Sequence, residues 1–137
     1  MKYFTGVLHN QIDSIWSNVA KLIKQAIDVE NEHTLDEVYG SLIRRERQLW
    51  IAGNSTIEAI LITQIQNETC YVELCAGKGV SCTKFLKIVE AWARQGGCKK
   101  INILGRKGWE RTLKKDGYKF KSVTLSKELQ NGDADQK

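Results

Sequence analysis

Three apolar runs, "QLWIA" from Gln48, "TIEAILITQI" from Thr56 and "TCYVELCA" from Thr69, are separated only by "GNS" and "QNE". Connections this short join only antiparallel neighbours, so Gln48 to Ala76 predicts a three-stranded meander. The pattern then breaks at "GKG". In "SCTKFLKIVEAWARQGG" the side chains of Phe85, Leu86, Val89, Trp92 and Ala93 recur at helical spacing, with Ser81 as the cap and Gly96 and Gly97 closing the helix. "KKINIL" follows as a strand. A strand, helix and strand in this order predict a parallel pair with a right-handed crossover, so the sheet is mixed and mostly antiparallel.

Two amphipathic helices precede the meander. From about Gln11 to Ile27, the residues Ile12, Ile15, Trp16, Val19, Ala20, Ile23, Ala26 and Ile27 fall on one face, with Asn10 as the expected cap. In "TLDEVYGSLI", Thr34 stands three residues before Glu37, the spacing of a capping box. "KYFTGV" predicts a short first strand, "RKGWERTLKKDG" a late helix ended by Gly117, and "YKFKSVTL" a last strand. The expected order is β α α β β β α β α β: an α/β (α+β) chain with a mostly antiparallel sheet and a central βαβ unit flanked by helices. The 137 residues suit one hydrophobic core, expected over 1–129, with the polar "QNGDADQK" of 130–137 as a disordered tail.

Composition narrows the function classes. No apolar stretch approaches the roughly 20 residues that a membrane helix requires, and "MKYFTGVLHNQ" has no signal-peptide core, so a cytoplasmic location is expected. Cys70, Cys75, Cys82 and Cys98 show neither zinc spacing nor disulfide density and read as free thiols. His9 and His33 stand near no cysteine or carboxylate pair in a ligand spacing, so no metal site is expected. The net charge of +5 is uneven, because residues 99–121 hold nine Lys or Arg against Glu110 and Asp116. That segment suits either an anionic partner or a solvated face. Nucleic-acid binding would lack a recognised motif or a stacking platform.

The glycine pair in "VELCAGKGVSCTKF" can cradle phosphates, grip a methyl donor or only turn a corner. With Glu73, Gly77 and Gly79 it resembles the first motif of S-adenosylmethionine-dependent methyltransferases. Only about 58 residues follow Gly79, too few for several more βα units of roughly 30 residues each. The antiparallel meander before it is also foreign to a doubly wound sheet.

Element order and glycines together resemble the GCN5-related N-acetyltransferase (GNAT) superfamily over nearly the whole chain. That family ends its fourth strand in glutamine or arginine, two residues, glycine, one residue, then glycine or alanine. Here "LCAGKG" supplies Gly77 and Gly79, with Leu74 in the first position. The resemblance implies that Gly77, Lys78, Gly79, Val80 and Ser81 hold the pyrophosphate of acetyl-CoA, with Cys75 and Ala76 also in the cofactor site. Glycines admit the phosphates to backbone N–H groups, and a helix N-terminus adds favourable charge. Arg106 opens the late helix as a further phosphate contact. The family's tyrosine four residues before a glycine and an aromatic, often the acid that protonates the CoA thiolate, corresponds to Leu113 ahead of Gly117 and Tyr118.

Glu73 reads either as a general base for an amine or as an ion-paired strand residue. Tyr71, on the same strand face, would line the cleft. "GRKGWERTLKKDGYKF" also looks like small GNAT-fold proteins of tailed bacteriophages, some of them virion-associated. Two function classes follow. One is an N-acyltransferase using acetyl-CoA and an amine acceptor. The other is an inactive GNAT-fold protein that contacts phage or host proteins, and self-association fits either, given Trp16, Trp50, Trp92 and Trp109.

Overall fold

The computed structural model describes residues 3–30, 32–77, 85–103, 113–119, 127 and 129. Strand β1 (Tyr3–Val7) leads through one 3-10 turn (His9–Gln11) into α1 (Ile12–Glu30), then α2 (Leu35–Ile43), β2 (Gln48–Gly53), β3 (Ile57–Gln66), β4 (Thr69–Gly77), α3 (Leu86–Gln95) and β5 (Lys100–Ile103). The five strands lie in the order β1-β2-β3-β4-β5. The first three pairings are antiparallel, and β4 runs parallel to β5. The mixed sheet and the meander therefore agree with the sequence reading.

The sheet is covered on both faces. Ile12, Val19 and Ile23 of α1 and Val38 and Leu42 of α2 pack on Leu49, Ile60, Ile62, Leu74 and Ala76. On the other face Leu86, Val89 and Ala93 of α3 pack on Trp50, Leu61, Cys70 and Val72. Phe85, where α3 begins, stacks on Phe4 of β1 at 4.5 Å, and Phe4 stacks on Trp50 at 5.2 Å. These rings fix the start of α3 against two strands at once.

Local chemistry explains most element ends. Thr34 Oγ1 accepts the Glu37 N–H at 3.2 Å, as the capping-box spacing predicts. Asn10 is not the cap of α1, a correction to the sequence reading. It sits inside the 3-10 turn, where the Gln11 N–H bonds the Leu8 carbonyl at 2.8 Å and the Gln11 side chain accepts the Leu8 N–H at 3.2 Å. Helix α1 also runs past Ile27 to Glu30, since 28–30 contain no breaker and Lys24 pairs with Asp28 at 3.3 Å. The β3–β4 hairpin turns on Asn67 (φ 50°) and Glu68 (φ 61°), the two left-handed residues of a tight primed turn.

Of the late helix, the described residues hold its last turn. The N–H groups of Tyr118 and Gly117 close on the carbonyls of Leu113 and Lys114 at 3.2 Å each, with Gly117 left-handed at φ 91°. This is a Schellman end, and it explains why that glycine stops the helix. Tyr118 and Lys119 are not in a strand. The remainder of the last-strand reading, and the tail of 130–137, lie outside the described residues.

Candidate functional site

Strand β4 carries the residues singled out from sequence, and its ladder to β3 is irregular. Ile62 pairs with Leu74 and Thr63 with Val72, so Glu73 is an inserted residue without a partner on β3. Such a bulge bends the strand and leaves its own peptide groups out of the ladder. It also changes the phase of the side chains. Val72 faces α3, whereas Leu74 and Ala76 face α1 and α2. Pairing to β5 covers only Thr69 to Val72. Among the described residues, the β5-facing edge of β4 from Glu73 to Gly77 is thus unpaired.

Glu73 is ion-paired. Its Oε1 accepts the Arg47 Nε–H at 2.7 Å, and the two side chains are only 12% and 15% exposed. Arg47 Nη2 lies 3.2 Å from His33 Nε2. A guanidinium has donors only, so in this hydrogen bond His33 Nε2 is the acceptor. Two connections, α1 to α2 and α2 to β2, thus meet the middle of β4 at the bulge. Sequence reasoning found Glu73 but neither Arg47 nor His33 as its neighbours, since nothing local in "RRER" or "NEHT" marks contacts 26 and 14 residues away.

Tyr71 is half-buried, two residues before Glu73. Cys75 is half-buried and packs against the α3-side core, and Ala76 is buried on the other face. Gly77 is exposed, with φ +148°. A Cβ there would fall 2.4 Å from Ala59 Cβ and 2.7 Å from the Glu58 carbonyl oxygen, so this glycine serves the close approach of β4 to β3. Lys78, Gly79, Val80, Ser81 and Arg106 lie outside the described residues.

Leu113, at the position corresponding to the acidic tyrosine, is buried in the α3-side core. Tyr118 is close by in that core, and its hydroxyl donates to Glu90 Oε2 at 2.6 Å. Desolvation, then the bond to Glu90, push the Tyr118 hydroxyl well above the usual tyrosine range. Burial pushes the Cys70 thiol up to about 12. Both groups are therefore neutral over the physiological range. Lys99 and Lys100 of the basic segment border a shallow hollow of about 120 Å³ with Glu90, Arg94 and Cys98. That hollow is at the start of β5, the end of the parallel pair away from Gly77.

Neither a family model nor a curated protein matches the sequence. Solved structures do match the fold. A predicted acetyltransferase of Clostridium acetobutylicum, determined with acetyl-CoA, superposes with TM-score 0.66 at 15% identity, over 94% of this chain and 97% of that one. An aminoglycoside acetyltransferase from an uncultured soil metagenomic sample, in complex with sisomicin, gives 0.66 at 11% identity, over 93% and 96%. Glucosamine-6-phosphate N-acetyltransferase of Arabidopsis thaliana gives 0.62 at 14% identity, over 93% and 98%. The chain has the fold of the GNAT acetyltransferases, as its element order implied.

Proposed function

We propose that this protein is an acyl-CoA-dependent N-acyltransferase that moves an acetyl group to an amine. The observation that carries the reading is the bulge that sets Glu73 out of the β3–β4 ladder, on a strand whose edge from Glu73 to Gly77 has no partner among the described residues, in a fold shared with acetyltransferases. The fit to CoA is chemical. An unpaired strand edge offers N–H and C=O groups to an extended chain with amides of its own, and the pantetheine arm of CoA is such a chain. The glycine turn after β4, from Gly77 through Lys78, Gly79, Val80 and Ser81, is proposed for the pyrophosphate, with Arg106 as a further cation and Cys75 and Ala76 along the arm.

A bound acyl-CoA supplies the thioester carbon that the amine attacks. Glu73 uses Oε1 for Arg47, while Oε2 has no hydrogen-bond partner among the described residues and can accept the proton that the amine sheds. Tyr71 lines the acceptor side. Leu113 stands in the core, so the chain offers no acid at that position and solvent protonates the departing thiolate. Holding the two reactants together accounts for most of the acceleration in such a site.

The second reading, an inactive GNAT-fold protein with phage or host partners, is favoured by two observations. The Glu73 carboxylate is held by a cation, and Leu113 replaces the acid. Thermal melting with acetyl-CoA separates the two readings. An enzyme gains about 2.7 kcal/mol at a ligand concentration 100-fold above Kd, a rise of several degrees in Tm. Incubation of acetyl-CoA with sisomicin, glucosamine-6-phosphate or a lysine peptide should then give a product heavier by one acetyl group. The absence of any shift at millimolar acetyl-CoA overturns the enzyme reading.

A further inference from the structure

We infer that Arg47 is the residue that positions Glu73 for proton transfer, and that His33 is the acceptor that holds Arg47 in place. This rests on the acetyl-transfer reading above and adds residues to it. Glu73 is the inserted residue of a bulge, so no cross-strand neighbour on β3 fixes the direction of its side chain. Direction must come from elsewhere, and the Arg47 Nε contact at 2.7 Å is the hydrogen bond that supplies it.

Arg47 is itself held at three points. After α2, Arg45 turns left-handed at φ 64°, and the N–H groups of Glu46 and Arg47 both close on the Ser41 carbonyl, at 2.8 Å and 3.2 Å. This fixes the backbone that carries Arg47. The guanidinium is then gripped from two sides, by Glu73 Oε1 and by His33 Nε2 at 3.2 Å. A planar group bonded at two of its nitrogens has its orientation set, which a lysine ammonium at the same place cannot reproduce. The outcome is a carboxylate with one oxygen occupied and the other left for the substrate.

The test combines spectroscopy with kinetics on the full chain. Nitrogen-15 NMR should show His33 as the neutral tautomer protonated on Nδ1, and Arg47→Met should remove that preference. With acetyl-CoA and whichever amine of the panel above turns over fastest, Arg47→Lys should lower kcat about tenfold to a hundredfold. KM for acetyl-CoA and the acetyl-CoA thermal shift should stay near wild type. His33→Leu should lose kcat in the same way, and His33→Gln, whose carbonyl can accept from Arg47, should recover most of it. Methylguanidinium should partly restore the Arg47→Ala variant.

An active wild type whose kcat is unmoved by Arg47→Lys overturns this inference and leaves the acetyl-transfer reading standing. So does a His33 ring protonated on Nε2. A wild type that turns over none of the amines and shows no acetyl-CoA shift removes the acetyl-transfer reading, and the positioning role with it.

Discussion

At the residue scale, Gly77 and Gly79 look alike in the sequence, as two glycines free to meet a phosphate. The geometry of Gly77 gives it a role that needs no ligand. Its φ of +148° and the 2.4 Å approach of a would-be Cβ to Ala59 make any side chain there both strained and overpacked. Gly77→Ala should therefore destabilise the apoprotein by about 3 kcal/mol, the sum of typical strain and overpacking terms. Denaturant melts without acetyl-CoA measure this, and a variant as stable as wild type would show that β4 and β3 are not so close. The substitution is thus a poor probe of cofactor binding. Glu73 was legible as a residue with two readings, base or ion pair. The ion pair itself needed Arg47, which is distant in sequence and has no signature of its own.

At the element scale, the helices and the meander were legible because their periods are local properties. A 3.6-residue stripe, a capping-box spacing and a three-residue turn each act within a few positions. The β4 bulge was not legible. In a sheet covered on both faces, apolar residues lie on both sides of a strand, so a change of phase at Glu73 leaves the alternating pattern of "TCYVELCA" unaltered. The pairing of α3 with the end of the late helix was equally hidden, since the Tyr118–Glu90 bond joins residues 28 apart. The burial of Tyr118 and that bond together have a consequence in alkali. The folded pKa of Tyr118 is raised above its ordinary 10.0, so the unfolded chain gives up the proton first. Its contribution to stability is complete below pH 10.0 and declines as pH rises beyond that value. Tyr118→Phe should be about 1–2 kcal/mol less stable at neutral pH. It should also lose less stability than wild type above pH 10.0. The buried Cys70 thiol, raised to about 12, adds the same alkaline slope to both proteins, so the difference between their stability curves isolates Tyr118. Parallel curves would mean that Tyr118 is neither buried nor bonded to Glu90 in solution.

At the scale of the whole molecule, two cores share one sheet, and the bulge is where β4 changes which core it serves. Val72 belongs to the α3 side and Leu74 to the α1–α2 side, with Glu73 between them. Removing Glu73 alone would set Val72 beside Leu74 opposite Thr63 and Ile62, the partners that both already have. Every side chain would keep its face, and the ladder would become regular. The architecture therefore does not require the insertion. Arg47 would be left as a half-buried cation without its carboxylate, which is strongly destabilising in its own right, so the clean variant pairs the deletion with Arg47→Met. We expect this double variant to fold cooperatively, with stability within about 1 kcal/mol of wild type, or roughly 3–5 °C in Tm. It should at the same time lose the rise in Tm caused by acetyl-CoA, because a regular ladder draws the edge of β4 back into plane. Circular dichroism melts with and without acetyl-CoA give both readouts. A double variant that does not fold would mean that the two cores need the inserted residue. One that folds and still gains stability from acetyl-CoA would move cofactor binding away from the bulge. Folding without the acetyl-CoA response would mark Glu73 as an insertion kept for the site, in a sheet that is complete without it.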